Sequence, residues 1–129
     1  MSLRVIDLMK TSVESLHPEE DLDLAAMLMR IERFHHLPVV DDGGAVVGVV
    51  SARDILEAAG GDRRGQLRVR AREVMSSPVV TVAPTAPVAE AAELMRSRDV
   101  GCLPVIADGA LVGVLSRTDL VRALYHLAP

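Results

Sequence analysis

The chain of 129 residues has the length of one ordinary domain, and because half of its residues are hydrophobic it can bury a substantial core. Its net charge of −4 excludes a general electrostatic attraction to nucleic acid or anionic lipid. Its single cysteine, Cys102, cannot form an internal disulfide, and without an apolar run of membrane-spanning length or a signal-peptide segment the expected location is cytoplasmic.

The first half of the chain predicts a helix, two strands and a second helix. Apolar residues recur at the spacing of one helix face in the segment 22–29, and acidic residues stand at 19–21, where negative charge stabilises a helix N-terminus. The apolar stretches LPVV and VVGVV flank the turn sequence DDGGA, which indicates a β-hairpin. A helix is expected after Ser51.

The segment EAAGGDRRGQLRVRARE (57–73) joins the two halves. It is rich in glycine and then in arginine, with five of the thirteen arginines of the chain. A solvated linker is the favoured interpretation. An anion-binding strip is the alternative, but the acidic balance of the rest of the chain argues against a nucleic-acid surface.

The second half repeats the pattern of the first. The β-branched run VVTV (79–82) predicts a strand that ends before Pro84. In PVAEAAELMRSR the residues at 88, 91, 92 and 95 lie on one face of a helix. LPVI and LVGVL flank Asp108-Gly109, a hairpin signal, and another helix is expected after Ser116.

The two halves are an internal repeat, β-α-β-β-α made twice. Met9 aligns with Met75 and Pro18 with Pro84 at an offset of 66, and after one residue is gained in the turn DDGGA, Ser51 aligns with Ser116 at an offset of 65. The fold class predicted is α+β. A sheet covered by helices on one side leaves its other side bare, so we expect the two halves to pack sheet to sheet.

The repeated pattern resembles the CBS (cystathionine-β-synthase) domain over roughly residues 5–127. Its marks are a methionine before a short strand, the EAAELM helix, the LPV strand, and GVVSARDIL matched by GVLSRTDLV. Two such repeats resemble a CBS pair, or Bateman module. The resemblance implies two sheets about a pseudo-twofold axis with the helices outside and two clefts between the repeats. We expect a first repeat over 1–60, a linker over 61–71 and a second repeat over 72–129.

The pairs Ser51/Asp54 and Ser116/Asp119 have two interpretations. Each can be a capping box, in which the serine caps the helix and the acid three residues on bonds back to it. The resemblance implies that the aspartate binds the hydroxyls of a ribose and the serine binds ribose or phosphate. A carboxylate suits a vicinal diol because it accepts both hydroxyl protons. We favour both roles together.

The segment before each LPV strand differs between the halves. Adjacent strand residues point to opposite faces, so His35 and His36 are a poor metal chelate and no metal site is predicted. One histidine packed and one solvated is the plain alternative to a histidine that donates to a phosphate. The resemblance implies that this segment lines the cleft, together with Pro38, Gly101, Cys102 and Pro104. Cys102 is expected to be a small buried hydrophobe rather than a nucleophile.

Further ligand contacts come from the resemblance alone. It implies adenine or phosphate contacts for Thr11 and Ser77, and backbone contacts to adenine for Val13 and Val79. Residues in the first turn of each second helix are either surface residues or phosphate contacts: Arg53, Arg117 and Thr118. Because the first half has His35-His36 and KTSVESLHP, while the second has SSPVVTVAP, closer to the family pattern, we expect the two clefts to differ in affinity, with an empty cleft as the extreme case.

The function predicted is that of a non-catalytic regulatory module. The resemblance implies an adenosine-containing ligand (AMP, ADP, ATP or S-adenosylmethionine) bound as a regulator, with no required cofactor. It also implies a homodimer, which the apolar stretch LVRALYHLA (120–128) supports, and a regulated enzyme or transporter. The alternative is a protein-interaction module that acts by docking, with weak or no nucleotide binding. No catalytic constellation is recognised, and neither nucleic acid nor membrane is an expected partner.

Overall fold

The computed structural model of the chain describes residues 3–32, 35–60 and 69–127. The elements in this part of the chain follow in the order α1 (Val5–Leu8), α2 (Leu22–Glu32), β1 (His36–Val40), β2 (Val46–Ser51), α3 (Ala52–Gly60), α4 (Ala71–Val74), α5 (Val88–Arg98), β3 (Cys102–Ala107), β4 (Ala110–Ser116) and α6 (Arg117–Leu127). They form two compact units. Unit 1 comprises Met1–Val13 and Val80–Pro129, and unit 2 comprises Glu14–Val79.

The two amphipathic helices lie where periodicity predicts them. In α2, Leu22 and Ala25 are fully buried, and in α5, Ala91 and Met95 are buried. Helix α5 ends at Asp99, which adopts the left-handed conformation with φ 52°. A short polar residue tolerates this conformation better than most. None of the described helices is long and apolar enough to cross a membrane.

Both predicted hairpins are present as two-stranded antiparallel sheets, β1–β2 and β3–β4. Asp108 and Gly109 have φ values of 50° and 77°, as a two-residue turn with both central residues at positive φ requires. In the longer turn of unit 2, the carboxylate of Asp41 accepts hydrogen bonds from the N–H groups of Gly43 and Ala45, at 3.0 and 2.9 Å. The turn of the first half is one residue longer than that of the second, and the Asp41 side chain stabilises this longer turn.

The predicted strand at 79–82 is wrong. Residues 79–81 have no regular structure, and Val82 alone forms a parallel bridge with Val105. Its N–H donates to the carbonyl of Pro104 at 3.1 Å, and its carbonyl accepts from the N–H of Ile106 at 2.9 Å. The β-branched run is flanked by Pro78 and Pro84, which have no N–H to extend a ladder. Each sheet therefore has two strands and isolated bridging residues rather than three strands: Val82 and Lys10 in unit 1, and Leu16 and Ser76 in unit 2.

The segment at the start of each repeat packs on the other repeat. In unit 1, the N–H of Val5 donates to the carbonyl of Ala86 at 2.9 Å, so α1 joins the second repeat. In unit 2, the N–H of Ala71 donates to the carbonyl of Glu20 at 2.8 Å, so α4 joins the first. Residues 61–68 of the expected linker lie outside the described residues, whereas Ala71 is fully buried.

Each unit has its own aliphatic core. Among the described residues, the buried set contains no aromatic side chain, as the composition requires. The core of unit 2 consists of Leu16, Leu22, Ala25, Leu37, Val39, Val50, Ile55 and Ala71. The core of unit 1 consists of Val5, Val82, Ala91, Met95, Leu103, Val105 and Leu115.

Candidate functional site

Unit 1 contains the second Ser-x-x-Asp pair where β4 runs into α6. The N–H of Asp119 donates to Ser116 Oγ at 3.2 Å, and the N–H of Ser116 donates to Asp119 Oδ2 at 2.8 Å. The hydroxyl of Ser116 also donates to Oδ2, at 2.9 Å. These bonds form the predicted capping box. Asp119 is 3% exposed and is the one buried acid among the described residues.

The second carboxylate oxygen of Asp119 faces two cations. Arg122 Nη1 lies 3.4 Å from Oδ1 and Lys10 Nζ lies 4.0 Å from it. The side chains of Lys10 and Arg122 are 49% and 55% exposed, so the attraction is partly screened by solvent. The cap therefore occupies Oδ2, and Oδ1 lies beside exchangeable cationic partners.

The backbone of the N-terminal segment brings Lys10 to this position. The N–H of Lys10 donates to the carbonyl of Val114 and the N–H of Val114 donates back to the carbonyl of Lys10, both at 2.9 Å. A Cβ on Gly113 would lie 2.8 Å from the Lys10 carbonyl oxygen and 2.7 Å from Met9 Sδ. Glycine at 113 is thus required by the close approach of this segment to β4.

The other predicted site residues of unit 1 surround the start of β3. Cys102 pairs with Ser116 across the β3–β4 sheet. Burial, and secondarily the charge of Asp119, raise the pKa of the Cys102 thiol to about 12, while Lys10 acts in the opposite direction. The thiol is therefore protonated at neutral pH and is a poor nucleophile. The N–H of Arg117 donates to the carbonyl of Gly101 at 2.9 Å.

Unit 2 contains the first pair in the same arrangement. The N–H of Asp54 donates to Ser51 Oγ at 3.1 Å, and the N–H of Ser51 donates to Asp54 Oδ2 at 2.8 Å. Ser51 pairs with His36 across the β1–β2 sheet. The N–H of Ala52 donates to the carbonyl of His35 at 2.8 Å, so His35 occupies the place of Gly101.

The two sites differ in the segment that approaches the hairpin. In unit 2 this segment presents Ser76, whose N–H donates to the carbonyl of Val49 at 2.9 Å. Ser76 stands at the position of Lys10 under the repeat offset of 66. Arg53 is exposed and pairs with Glu57, its neighbour one turn along α3, at 3.3 Å.

The structure sorts the predicted site residues into two groups. Thr11 and Val13 of the first half lie in the unit of the second Ser-x-x-Asp pair, because residues 1–13 belong to unit 1. Thr11, Arg117 and Thr118 are exposed, while Pro104 is buried. Unit 1 holds Thr11, Val13, Gly101, Cys102, Pro104, Ser116, Arg117, Thr118 and Asp119, and unit 2 holds His35, His36, Pro38, Ser51, Arg53, Asp54, Ser77 and Val79.

Sequence reasoning missed Lys10 and Arg122. Lys10 is the only lysine of the chain, beside thirteen arginines, and this unusual choice of cation could have drawn attention to it. Its contact with Asp119 could not be predicted, because no local pattern indicates that residue 10 lies beside residue 119. The described residues contain no group of three or more His, Cys, Asp or Glu side chains that could hold a metal ion.

The chain thus has two capped Ser-x-x-Asp junctions, each at the end of a hairpin. Each junction is approached by the segment that starts the other repeat. The CBS domain family matches the chain twice, over residues 5–61 and 71–126. The chain belongs to the CBS domain family. A CBS domain-containing protein of Dictyostelium discoideum is 34% identical to it, over 96% of this chain and 92% of the relative.

Solved structures share the tandem arrangement. CBSX2 in complex with AMP is 28% identical, with a TM-score of 0.79 over 96% of this chain and 97% of that chain. The CBS domain pair of protein MJ0100 in complex with 5′-methylthioadenosine and S-adenosyl-L-methionine is 25% identical, with a TM-score of 0.84 over 95% of this chain and 99% of that chain. Other relatives are longer, and the chain spans 24% of the homoserine O-acetyltransferase of Methanococcoides burtonii.

Proposed function

We propose that this CBS pair is a non-catalytic regulatory module that binds an adenosine-containing ligand at its two Ser-x-x-Asp sites. The observation that carries the proposal is the Asp119 carboxylate. The cap uses Oδ2, and Oδ1 accepts only a long bond of 3.4 Å from the half-exposed Arg122, which the vicinal hydroxyls of a ribose would replace. Charge-assisted bonds of this kind are stronger than neutral ones.

The related structures support this ligand class. CBSX2 is described with AMP, and the MJ0100 pair is described with 5′-methylthioadenosine and S-adenosyl-L-methionine. These ligands share an adenosine moiety and differ in the group attached to the ribose. We take adenosine as the common feature recognised and propose AMP, ADP, ATP or S-adenosylmethionine as the regulator.

The remaining site residues keep the roles that the family resemblance implies. Thr11 and Ser77 are proposed to contact adenine or phosphate, and the backbones of Val13 and Val79 to face the adenine. The exposed His35 and the half-buried His36 are proposed as donors to an anionic group in unit 2. A cytoplasmic location is part of this proposal.

A homodimer is proposed from the exposed apolar residues of α6. Val121, Leu124 and Tyr125 lie at the spacing of one helix face, and Tyr125 is 81% exposed. Such a surface is typical of an interface. Sedimentation of the wild type and of Leu124→Glu tests it: we expect a dimer at micromolar concentration that the variant weakens, and a wild-type monomer would contradict the proposal.

A second candidate is a protein-interaction module that acts by docking. It is favoured by the exposed apolar residues of unit 2, which are Met27, Ile31 and Leu56. It is also favoured by relatives in which the matching region is a minor part of an acetyltransferase chain, since a regulatory module must contact what it regulates. Under this candidate, nucleotide affinity would be weak or absent.

Calorimetric titration with AMP and with S-adenosylmethionine tests the leading proposal. Asp119→Asn should weaken binding by about 1–3 kcal/mol, the value of a hydrogen bond to a charged group. Asp108→Asn is the matched control, because it removes a carboxylate from the exposed turn at the other end of the same hairpin. Equal affinities for the two variants and the wild type would refute the ribose role, and a complete lack of binding would favour the docking candidate.

A further inference from the structure

The two Ser-x-x-Asp sites have equivalent backbone bonds and differ in the charged residues around them. Under the repeat offsets of 66 and 65, Lys10 aligns with Ser76 and Arg122 aligns with Glu57. Unit 1 therefore places two cations where unit 2 places a neutral hydroxyl and a carboxylate. The backbone bonds of the cap are the same in both, while Asp119 is buried and Asp54 is half-buried.

The two units also differ in the charged side chains that contact the aspartate. In unit 1, Lys10 Nζ and Arg122 Nη1 both approach Asp119 Oδ1, at 4.0 and 3.4 Å. In unit 2, the only charge partner of Glu57 among the described residues is Arg53, at 3.3 Å, and that pair is exposed on α3. No ion pair to Asp54 is present in the described part of the chain. Asp119 therefore has two cations within 4.0 Å of its carboxylate, whereas the described residues of unit 2 place none against Asp54.

From this contrast we infer that the site of unit 1 selects adenosine ligands with a negatively charged phosphate, and that Lys10 is the residue that confers the selectivity. The site of unit 2, where the described residues place no cation against the aspartate, discriminates less between AMP and adenosine. This inference rests on the proposed function, since it assigns a charge class to the ligand of the unit 1 site.

Lys10 suits this role better than Arg122. The backbone of Lys10 is fixed by its two bonds to Val114, while its side chain is half exposed and ends in a compact ammonium that can turn toward an anion. At 4.0 Å from Oδ1, the ammonium lies beyond ordinary hydrogen-bond distance. The competing explanation is that Lys10 only neutralises the buried charge of Asp119.

Paired titrations with AMP and adenosine separate these explanations, because the two ligands differ only in the phosphate. They are carried out on the full chain with Asp54→Asn, so that the site of unit 1 dominates. In this background Lys10→Ser, which installs the residue of unit 2, should weaken AMP binding by about tenfold, or about 1.4 kcal/mol, and change adenosine binding less than about twofold. Arg98→Ser, an exposed cation removed from α5, is the control and should change neither.

The reciprocal substitution and salt give independent readouts. In an Asp119→Asn background, Ser76→Lys should give the site of unit 2 a preference for AMP over adenosine. Raising the salt concentration should reduce the AMP preference of the Asp54→Asn protein, because added ions screen a partly exposed charge. After reductive ¹³C-methylation, the single lysine gives one side-chain signal that AMP should shift and adenosine should not.

Each other outcome overturns the inference. If Lys10→Ser weakens AMP and adenosine equally, Lys10 acts only through Asp119. If both ligands bind and Lys10→Ser changes neither affinity, the charge assignment is wrong while the proposed function stands. If neither AMP nor adenosine binds the wild type, the inference and the proposed function fail together.

Discussion

Gly113→Ala tests the packing that places Lys10 beside Asp119. The new Cβ would lie 2.8 Å from the Lys10 carbonyl oxygen, which is closer than real Cβ atoms approach other heavy atoms. Met9 Sδ, at 2.7 Å, belongs to a flexible side chain and can move. The carbonyl cannot, because it accepts the bond from the N–H of Val114.

The cost follows from these contacts. Displacing the segment breaks both bonds between Lys10 and Val114, at about 1 kcal/mol each, and the overpacking itself costs about 1–3 kcal/mol. Alanine recovers about 0.4–1 kcal/mol through the less flexible unfolded chain. We expect a net loss of about 3 kcal/mol, or a Tm lower by roughly 12 °C.

Urea denaturation and thermal melting measure this loss against a matched control. Gly43→Ala is the control, because its Cβ would meet only Asp41 Oδ1, at an ordinary 3.4 Å. It should change the free energy of unfolding by less than about 0.5 kcal/mol. If Gly113→Ala is as stable as Gly43→Ala, the approach of residues 9–10 to β4 is refuted.

Three further predictions concern individual side chains. Asp119→Asn should lower the free energy of unfolding by about 0.5–1 kcal/mol more than Asp54→Asn, because it also removes the attraction to Lys10 and Arg122; equal losses in urea denaturation would contradict this. Cys102 has a pKa of about 12 in the folded protein against 9.0 for a free thiol. Its contribution to stability is therefore complete below pH 9 and declines as the pH rises toward 12. Cys102→Ala should flatten that decline in the free energy of unfolding, and an unchanged pH profile would count against the burial of the thiol. Glu19 bridges Arg70 and Arg72 at 2.6 and 2.9 Å, and because these groups are half exposed Glu19→Gln should cost only about 0.5 kcal/mol and nothing at high salt; a loss that persists at 1 M salt would show a role beyond the ion pairs.

Local signals account for the elements that sequence predicted correctly. The i, i+3, i+4 spacing in α2 and α5 and the Asp108-Gly109 turn depend on residues close in the chain. The Ser-x-x-Asp caps are equally local, since each joins residues three apart. These features could be predicted without knowing the tertiary fold.

The features missed from sequence depend on partners distant in the chain. β-propensity favoured a strand at 79–82, but it does not show that only Val82 has a neighbour to pair with. The packing of residues 3–10 on the second repeat brings Lys10 to Val114 and Asp119 across about a hundred residues of chain. Hydrophobic periodicity does not indicate that the start of one repeat packs on the other repeat. For this reason neither Lys10 nor Arg122 was predicted at the site.

The most direct test of the central claim is a crystal structure of the chain with AMP. The proposal predicts the ribose hydroxyls within hydrogen-bond distance of Asp119 Oδ1, with Ser116 still donating to Oδ2 and the Lys10 ammonium turned toward the phosphate. AMP bound away from both Ser-x-x-Asp sites, with Asp119 and Asp54 engaged only as helix caps, would contradict it.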